Sequence, residues 1–153
     1  MLSRKTKYGL KALLALAQET GRGPVLVSDL ARRDAIPKKF LEAILLELKR
    51  HGVVHSKKGK GGGYFLGRKP ADITFGEVIR VLEGPLAPVP CVSETAYMKC
   101  TDCVDENACG VRFAMKAVRD ATARILDRTT LASVNAQVAR TRRRAVSRRR
   151  KTS

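Results

Sequence analysis

The chain has no stretch approaching the ~20 consecutive apolar residues of a membrane-spanning helix, although hydrophobic residues make up 44% of its 153. No secretory leader is legible either. Leu10 to Ala17 is apolar enough for a signal-peptide core, but Lys11 interrupts it and no small-residue cleavage site follows. A protein of the cytoplasm is expected, a compartment that keeps thiols reduced. Signs of catalysis are equally sparse. Gly59 to Gly63 lacks the G-x-x-x-x-G-K-[ST] order, and strand-favouring residues follow it where a phosphate-cradling loop needs a helix. His51 and His55 flank a helix end and a strand start, where packing or a phosphate contact accounts for them. An enzyme is not expected.

Acid is scarce as well, with 14 Asp and Glu against 31 Lys and Arg and a net charge of +17. Residues 1–70 carry +11, residues 71–138 carry −2, and residues 139–153 carry +8. Two basic ends around a near-neutral middle suit a polyanionic partner, since neutralised phosphates release counterions. A merely soluble surface is the plainer account. The coincidence of the front charge with the elements below favours nucleic acid.

From Ile36 to Leu66 the pattern is that of a winged helix. Phe40, Leu41, Ile44, Leu45 and Leu48 recur three and four apart, which stacks them on one helical face. Pro37 suits the first turn and Gly52 the stop. Val53 to His55 and Tyr64 to Leu66 then read as strands around a basic glycine tip from Lys57 to Gly63. A helix of this length, ~21 Å, fits a major groove while the tip follows the phosphates.

Before it, Ser3 to Gln18 places Leu10, Leu13, Leu14 and Ala17 on one face. Arg4 and Lys5 open that helix against its macrodipole, which points to a phosphate nearby. Ser28 reads as the N-cap of a second helix, making a helix-turn-helix with the third. After the wing, Thr74 or Asp72 can cap a helix that ends at Gly84-Pro85. A helix then starts near Cys109, and its Val111, Ala114, Val118, Ala121 and Ile125 form a heptad-like seam suited to a second copy. Phe113 and Leu126 lie off that seam, placed to pack back on the domain. Thr129 or Thr130 can cap a short closing helix through Val138, after which the chain reads as a disordered basic tail able to hold DNA non-specifically. The expected divisions are 1–84, a winged helix-turn-helix; 85–109, a cysteine-rich loop; 110–138, the pairing and closing helices; and 139–153, the tail.

Four thiols fall at C-x8-C-x2-C-x5-C, Cys91, Cys100, Cys103 and Cys109, in one loop that ends on a helix N-terminus. That placement favours the thiolate, and thiolates select zinc, copper(I) or iron–sulfur clusters. Zinc ribbons usually show two C-x2-C knuckles, and only Cys100 and Cys103 form one here. Iron–sulfur or zinc ligation, a redox thiol pair and inert buried thiols all remain open on spacing alone.

These residues together resemble the Rrf family of winged-helix transcription regulators, of the IscR, NsrR and CymR types, from residue 1 to about 138. The match is carried by FLEAILLELKRHGVV, the KGKGGGYFL wing, ITFGEVIRVLEGP, the cysteine loop and LDRTTLASV. The resemblance implies a mainly α fold with a small β-wing, a homodimer joined by the long helix, and a double-stranded DNA operator. It also implies a [2Fe–2S] or [4Fe–4S] cluster in the loop, with zinc as the lesser choice. Carried over by position, Lys38, Lys39, Phe40 and Glu42 fall where recognition helices touch bases and phosphates. Lys58, Lys60, Gly61, Gly62 and Gly63 fall at the wing tip, and Tyr64 follows them. Cys91, Cys103 and Cys109 match the family triad, and Cys100 is additional. Arg112 stands where IscR-type members place a histidine, and Lys7 where NsrR-type members place an acid. The expected function is a dimeric sequence-specific transcription regulator, repression among its expected actions, that senses iron, redox state or nitric oxide. The rivals are the same fold as a zinc or thiol-oxidation switch, and a non-specific architectural DNA binder.

Overall fold

A computed structural model describes the backbone of residues 2–151 and the side chains of residues 2–145. Three helices open the chain: α1 (Arg4–Gln18), α2 (Val27–Asp34) and α3 (Lys38–Arg50). A hairpin of β1 (Val54–Lys57) and β2 (Gly63–Leu66) follows, antiparallel with Val54 opposite Leu66. Then come α4 (Phe75–Glu83), α5 (Gly110–Arg128) and α6 (Leu131–Lys151). This mainly helical winged-helix architecture is the expected fold class, and among the described residues no helix is long and apolar enough to cross a membrane.

The core sits under α3. Leu41, Ile44, Leu45 and Leu48 are buried at that helix's three- and four-residue spacing. They meet Leu10, Leu13 and Leu16 of α1, Val78, Ile79 and Leu82 of α4, and Val53 and Val54 at the wing's root. Each such burial is worth ~1.5–3 kcal/mol, so the helix that presents lysines to solvent is fixed from behind. Its end is a Schellman turn. Gly52 takes φ 69°, Val53 N–H reaches Leu48 O at 3.0 Å, and Gly52 N–H reaches Lys49 O at 3.0 Å. Lys49 Nζ then donates to Ser56 Oγ at 2.7 Å, tying α3 to β1.

The hairpin is held near its tip by a third extended residue. Val25 and Tyr64 exchange two backbone hydrogen bonds of 2.8 Å, and a Cβ on Gly63, at φ 144°, would lie 2.3 Å from Val25 O. That docking also explains a departure from expectation. Ser28 does not cap α2; the helix starts at Val27, directly after the paired Val25, with Leu26 at the cap position and no side-chain cap bond. Val25 and Val27 pack against the core, so burial sets the entry in place of a hydroxyl. Ser3 and Thr74 do cap, accepting from Thr6 N–H and Glu77 N–H.

Two further expectations are corrected. Phe113 does not fold back on the domain: it is 82% exposed, while Leu126 does reach the core. The closing helix is not short. It is capped by Thr130 and Ser133, whose hydroxyls each accept the other's backbone N–H at 3.1 Å, and it continues to Lys151 through the segment read as a structureless tail. No Gly or Pro follows Leu131, and Arg, Ala, Gln and Lys favour a helix, which outweighs the lack of a core there.

Backbone strain makes these joints testable. Gly63→Ala should cost about 1–3 kcal/mol of unfolding free energy. Ala35 holds a left-handed conformation, φ 52°, in the turn between α2 and α3, and Ala35→Gly should gain up to about 1 kcal/mol. Urea unfolding of both variants against the parent gives the two signs, and an unchanged Gly63→Ala midpoint would contradict the docking of the wing.

Candidate functional site

The basic face is built from the start of α3 and the tip of the hairpin. Lys38 and Lys39 occupy the first turn of α3 and are exposed, as is Glu42, 3.8 Å from Lys38 Nζ. Phe40 also lies at this surface, 38% exposed with its ring edge-to-face on Tyr8 at 5.9 Å, so it is not part of the buried stripe in which its spacing placed it. Lys57, Lys58, Lys60 and Gly61 are exposed at the tip. Gly62 is buried. A Cβ there would meet Lys57 O at 2.3 Å, so this glycine closes the hairpin on itself and does not open a path to a ligand. Tyr64 is half-buried against the core.

Arg4 is exposed at the start of α1, but Lys5 is turned inward. Its ammonium sits 2.8 Å from Glu47 Oε2 of α3 and 3.1 Å from Leu82 O of α4. Its charge is thus used to join three helices of the head, and the N-terminal basic cluster offers Arg4 and Lys7 to solvent. A groove of about 490 Å³ runs between the α1–α2 turn and the wing tip, with Arg22 and Arg33 on its walls beside Glu19 and Asp29. Sequence reasoning passed over these two arginines. Arg22 lies in the α1–α2 turn and Arg33 near the end of α2, and their only signal was charge, which periodicity does not weigh.

The four cysteines line one cavity, also about 490 Å³, between Val89 and Arg112. Cys109 is the N-cap of α5, its sulfur accepting the Arg112 backbone N–H at 3.4 Å. That hydrogen bond, with a second from Cys103 and the nearby guanidinium, lowers the Cys109 thiol below its ordinary value. Cys103 is raised, by burial first and by its bond to Cys109 second. Tyr97 Oη closes the loop on Glu106 at 2.6 Å, and α5 holds the loop's start, with Arg112 Nε on Cys91 O at 3.3 Å and Arg119 on Val92 O at 2.6 Å.

In its chemistry this donor set fits a thiolate-ligated group: four sulfurs face one largely apolar cavity, and one of them is held toward the thiolate. Among the described residues, no three His, Cys, Asp or Glu side chains gather closely enough to hold a metal ion as they stand. Arg112 offers no lone pair for a metal.

No residue of α5 is buried. Val111, Val118 and Ile125 are 66%, 47% and 64% exposed, and Ala114 and Ala121 are exposed with them along the expected seam. The helix touches the head at its far end. Gly76 of α4 lets Asp127 approach so closely that a Cβ would lie 2.0 Å from Oδ1. Arg80 holds that carboxylate through both oxygens, at 2.5 and 2.9 Å, and lowers its pKa below the usual carboxylate range.

The profile of the Rrf2 family, described as an iron-dependent transcriptional regulator, matches residues 2–137. An rrf2-like helix-turn-helix regulator of Rhodobacter capsulatus is 43% identical over 134 residues, covering 86% of this chain and 89% of that one. CymR, the global cysteine regulator of Bacillus subtilis, superposes with a TM-score of 0.75 at 35% identity over 90% of this chain and 97% of its own. IscR of T. potens superposes with a TM-score of 0.71 at 32% identity, over 90% and 88%. The named relatives are regulators of transcription, not enzymes.

Proposed function

Because the chain belongs to the Rrf2 family of helix-turn-helix, DNA-binding transcriptional regulators, we propose that it works as a dimeric repressor. It reads a palindromic operator with α3 and the wing and senses iron, redox state or nitric oxide through an iron–sulfur cluster of the [2Fe–2S] or [4Fe–4S] type. The observation that carries this reading is the single cavity lined by four thiols, placed at the start of a helix whose apolar seam has no partner among the described residues.

Cys91, Cys103 and Cys109 are the proposed ligands, and Cys100, on the same wall, is the nearest further donor. A bound cluster would supply an electron-transfer centre sensitive to iron supply, oxidant and nitric oxide. The chain's own residues hold the loop: Arg112 and Arg119 grip the carbonyls of Cys91 and Val92. One observation favours a second reading. Cys103 and Cys109 line the same cavity and the Arg112 N–H holds the Cys109 sulfur toward the thiolate, so one peroxide could convert the pair to a disulfide with release of two waters, and no cluster would be required.

Dimerisation rests on α5. Val118→Glu with Ile125→Glu puts two charges on the seam, and sedimentation should show monomer or insoluble protein; a dimer of unchanged affinity would sink the assignment.

On an operator, Lys58→Ala should weaken binding to all sequences alike and lower the salt slope by about one. Glu42→Ala should relax sequence preference more than it lowers affinity, since a carboxylate can accept from a cytosine amine and repels phosphate. Reversed roles in a binding-site selection would overturn the division of labour, and a specificity ratio near one would leave an architectural binder.

Iron and sulfide content separates the sensor readings. Cys91→Ala, Cys103→Ala and Cys109→Ala should each lose the cluster and Cys100→Ala part of it, with operator affinity changing in step. Iron-free parent protein prepared without oxygen, or full operator binding by all four variants, would favour the thiol or zinc switch.

A further inference from the structure

We propose that the second half of α6 is a DNA-contacting arm, a basic helix rooted in the reading head that lies along the duplex beyond the operator half-site. It rests on the DNA-binding reading above and deepens it by assigning a further contact surface.

The root of α6 belongs to the head, not to α5. Leu131 is fully buried in the head's core and its N–H bonds Ile73 O at 3.0 Å. One turn later, Asn135 donates to Leu14 O of α1 at 3.0 Å and accepts from Gln18 Nε2 at 3.3 Å. Gln18 accepts in turn from Arg33 of α2, so the root is wired to the first helix of the helix-turn-helix.

Beyond this root none of the described residues covers the helix. Every residue from Ala136 to Ala145 is exposed, and the backbone stays helical to Lys151, a projection of ~24 Å at 1.5 Å per residue. Arg140, Arg142, Arg143 and Arg144 turn through ~100° per residue and so point to several sides. No acid follows Asp127. Arg140 and Arg144 are like charges one turn apart, which weakens an isolated helix. A duplex phosphate backbone removes that repulsion and suits charge on several sides. A flat protein surface would instead want an apolar stripe, and the described arm offers Val138 and small alanines. The family match ends at residue 137, so this surface lies outside the part shared with the relatives.

The test uses the full chain on two duplexes, a minimal operator and the same operator with about ten base pairs added on each side, longer than the ~24 Å reach at 3.4 Å per base pair. The parent should bind the longer duplex with a steeper salt dependence. Three phosphates neutralised per arm add roughly 2.7 to the slope for each arm of the dimer, a contribution that falls about forty-fold per arm between 50 and 200 mM salt. R142Q/R143Q/R144Q should abolish the difference between duplexes and leave binding to the minimal operator unchanged. Ala139→Pro keeps every charge but breaks the helix, and should lose protection of the flanking sugars in hydroxyl-radical footprinting.

Equal slopes for the parent on both duplexes, equal losses for the triple variant on both, or unchanged flank protection in Ala139→Pro would overturn the arm. Displacement of the flank contribution by poly-glutamate but not by unrelated duplex would assign it to an acidic protein and overturn it too. If the parent bound no operator at all, both readings would fall; binding to the minimal operator without any flank effect would remove the arm alone.

Discussion

The close approach of α5 to α4 at Gly76 is the constraint on which the relation between the two halves of the molecule depends. A Cβ there would lie 2.0 Å from the Asp127 carboxylate, which Arg80, one turn along the same helix, holds. The backbone completes the joint: Phe75 N–H bonds Thr129 O at 2.8 Å and Leu131 N–H bonds Ile73 O at 3.0 Å. The pair is partly exposed, so its charges alone contribute little. What it supplies is register. With the last turn of α5 and the first of α6 fixed to the head, the remaining length of α5 extends away as a rod with its apolar seam uncovered.

That division coincides with the division of charge. The head and the C-terminal helix carry the basic excess, and the segment from the cysteine loop through α5 is nearly neutral. A polyanion is therefore drawn to the face that carries Lys38, Lys39, Lys58 and Lys60, while the thiol cavity stays outside the strongest field. Lys5 shows why net charge has to be read through the structure. Its ammonium is held by Glu47, 42 residues away, and serves the cohesion of the head.

The elements of the head were legible because each carries a local signal. The α3 stripe has helical period, the hairpin has a glycine tip between strand-favouring runs, and α4 lies between Thr74 and Gly84. What escaped depends on partners distant in sequence. Gly62 and Gly63 read as room for phosphates, yet one closes the turn on Lys57 and the other meets Val25, which no local window pairs with the wing. Phe113 lies off the seam and so reads as free to pack back on the domain, whereas among the described residues its side of α5 has no facing element. The tail was read as structureless from its lack of a core, but an Ala- and Arg-rich segment that continues a capped helix needs no new nucleation. The cysteines were found by spacing. Their sharing one cavity was not available from spacing, since the loop that carries them has little regular structure.

The same loop shows how a change at sulfur could act on the head at a distance. Its beginning is held to α5 at Cys91 and Val92 by Arg112 and Arg119, and its end is Cys109, the cap of that helix. Both ends of the thiol segment are thus fixed to the first ten residues of one helix. A rearrangement among the four sulfurs works between anchors on a common rod, so it changes the cap and the side-chain surface at the start of α5, where Val111 and Phe113 lie exposed. Among the described residues it makes no direct bond to α3. The head is met ~24 Å further on, at Asp127, sixteen residues along the helix. The covalent path from the cap to the head is therefore α5 itself, which ends where Arg80 holds Asp127 and Phe75 N–H bonds Thr129 O.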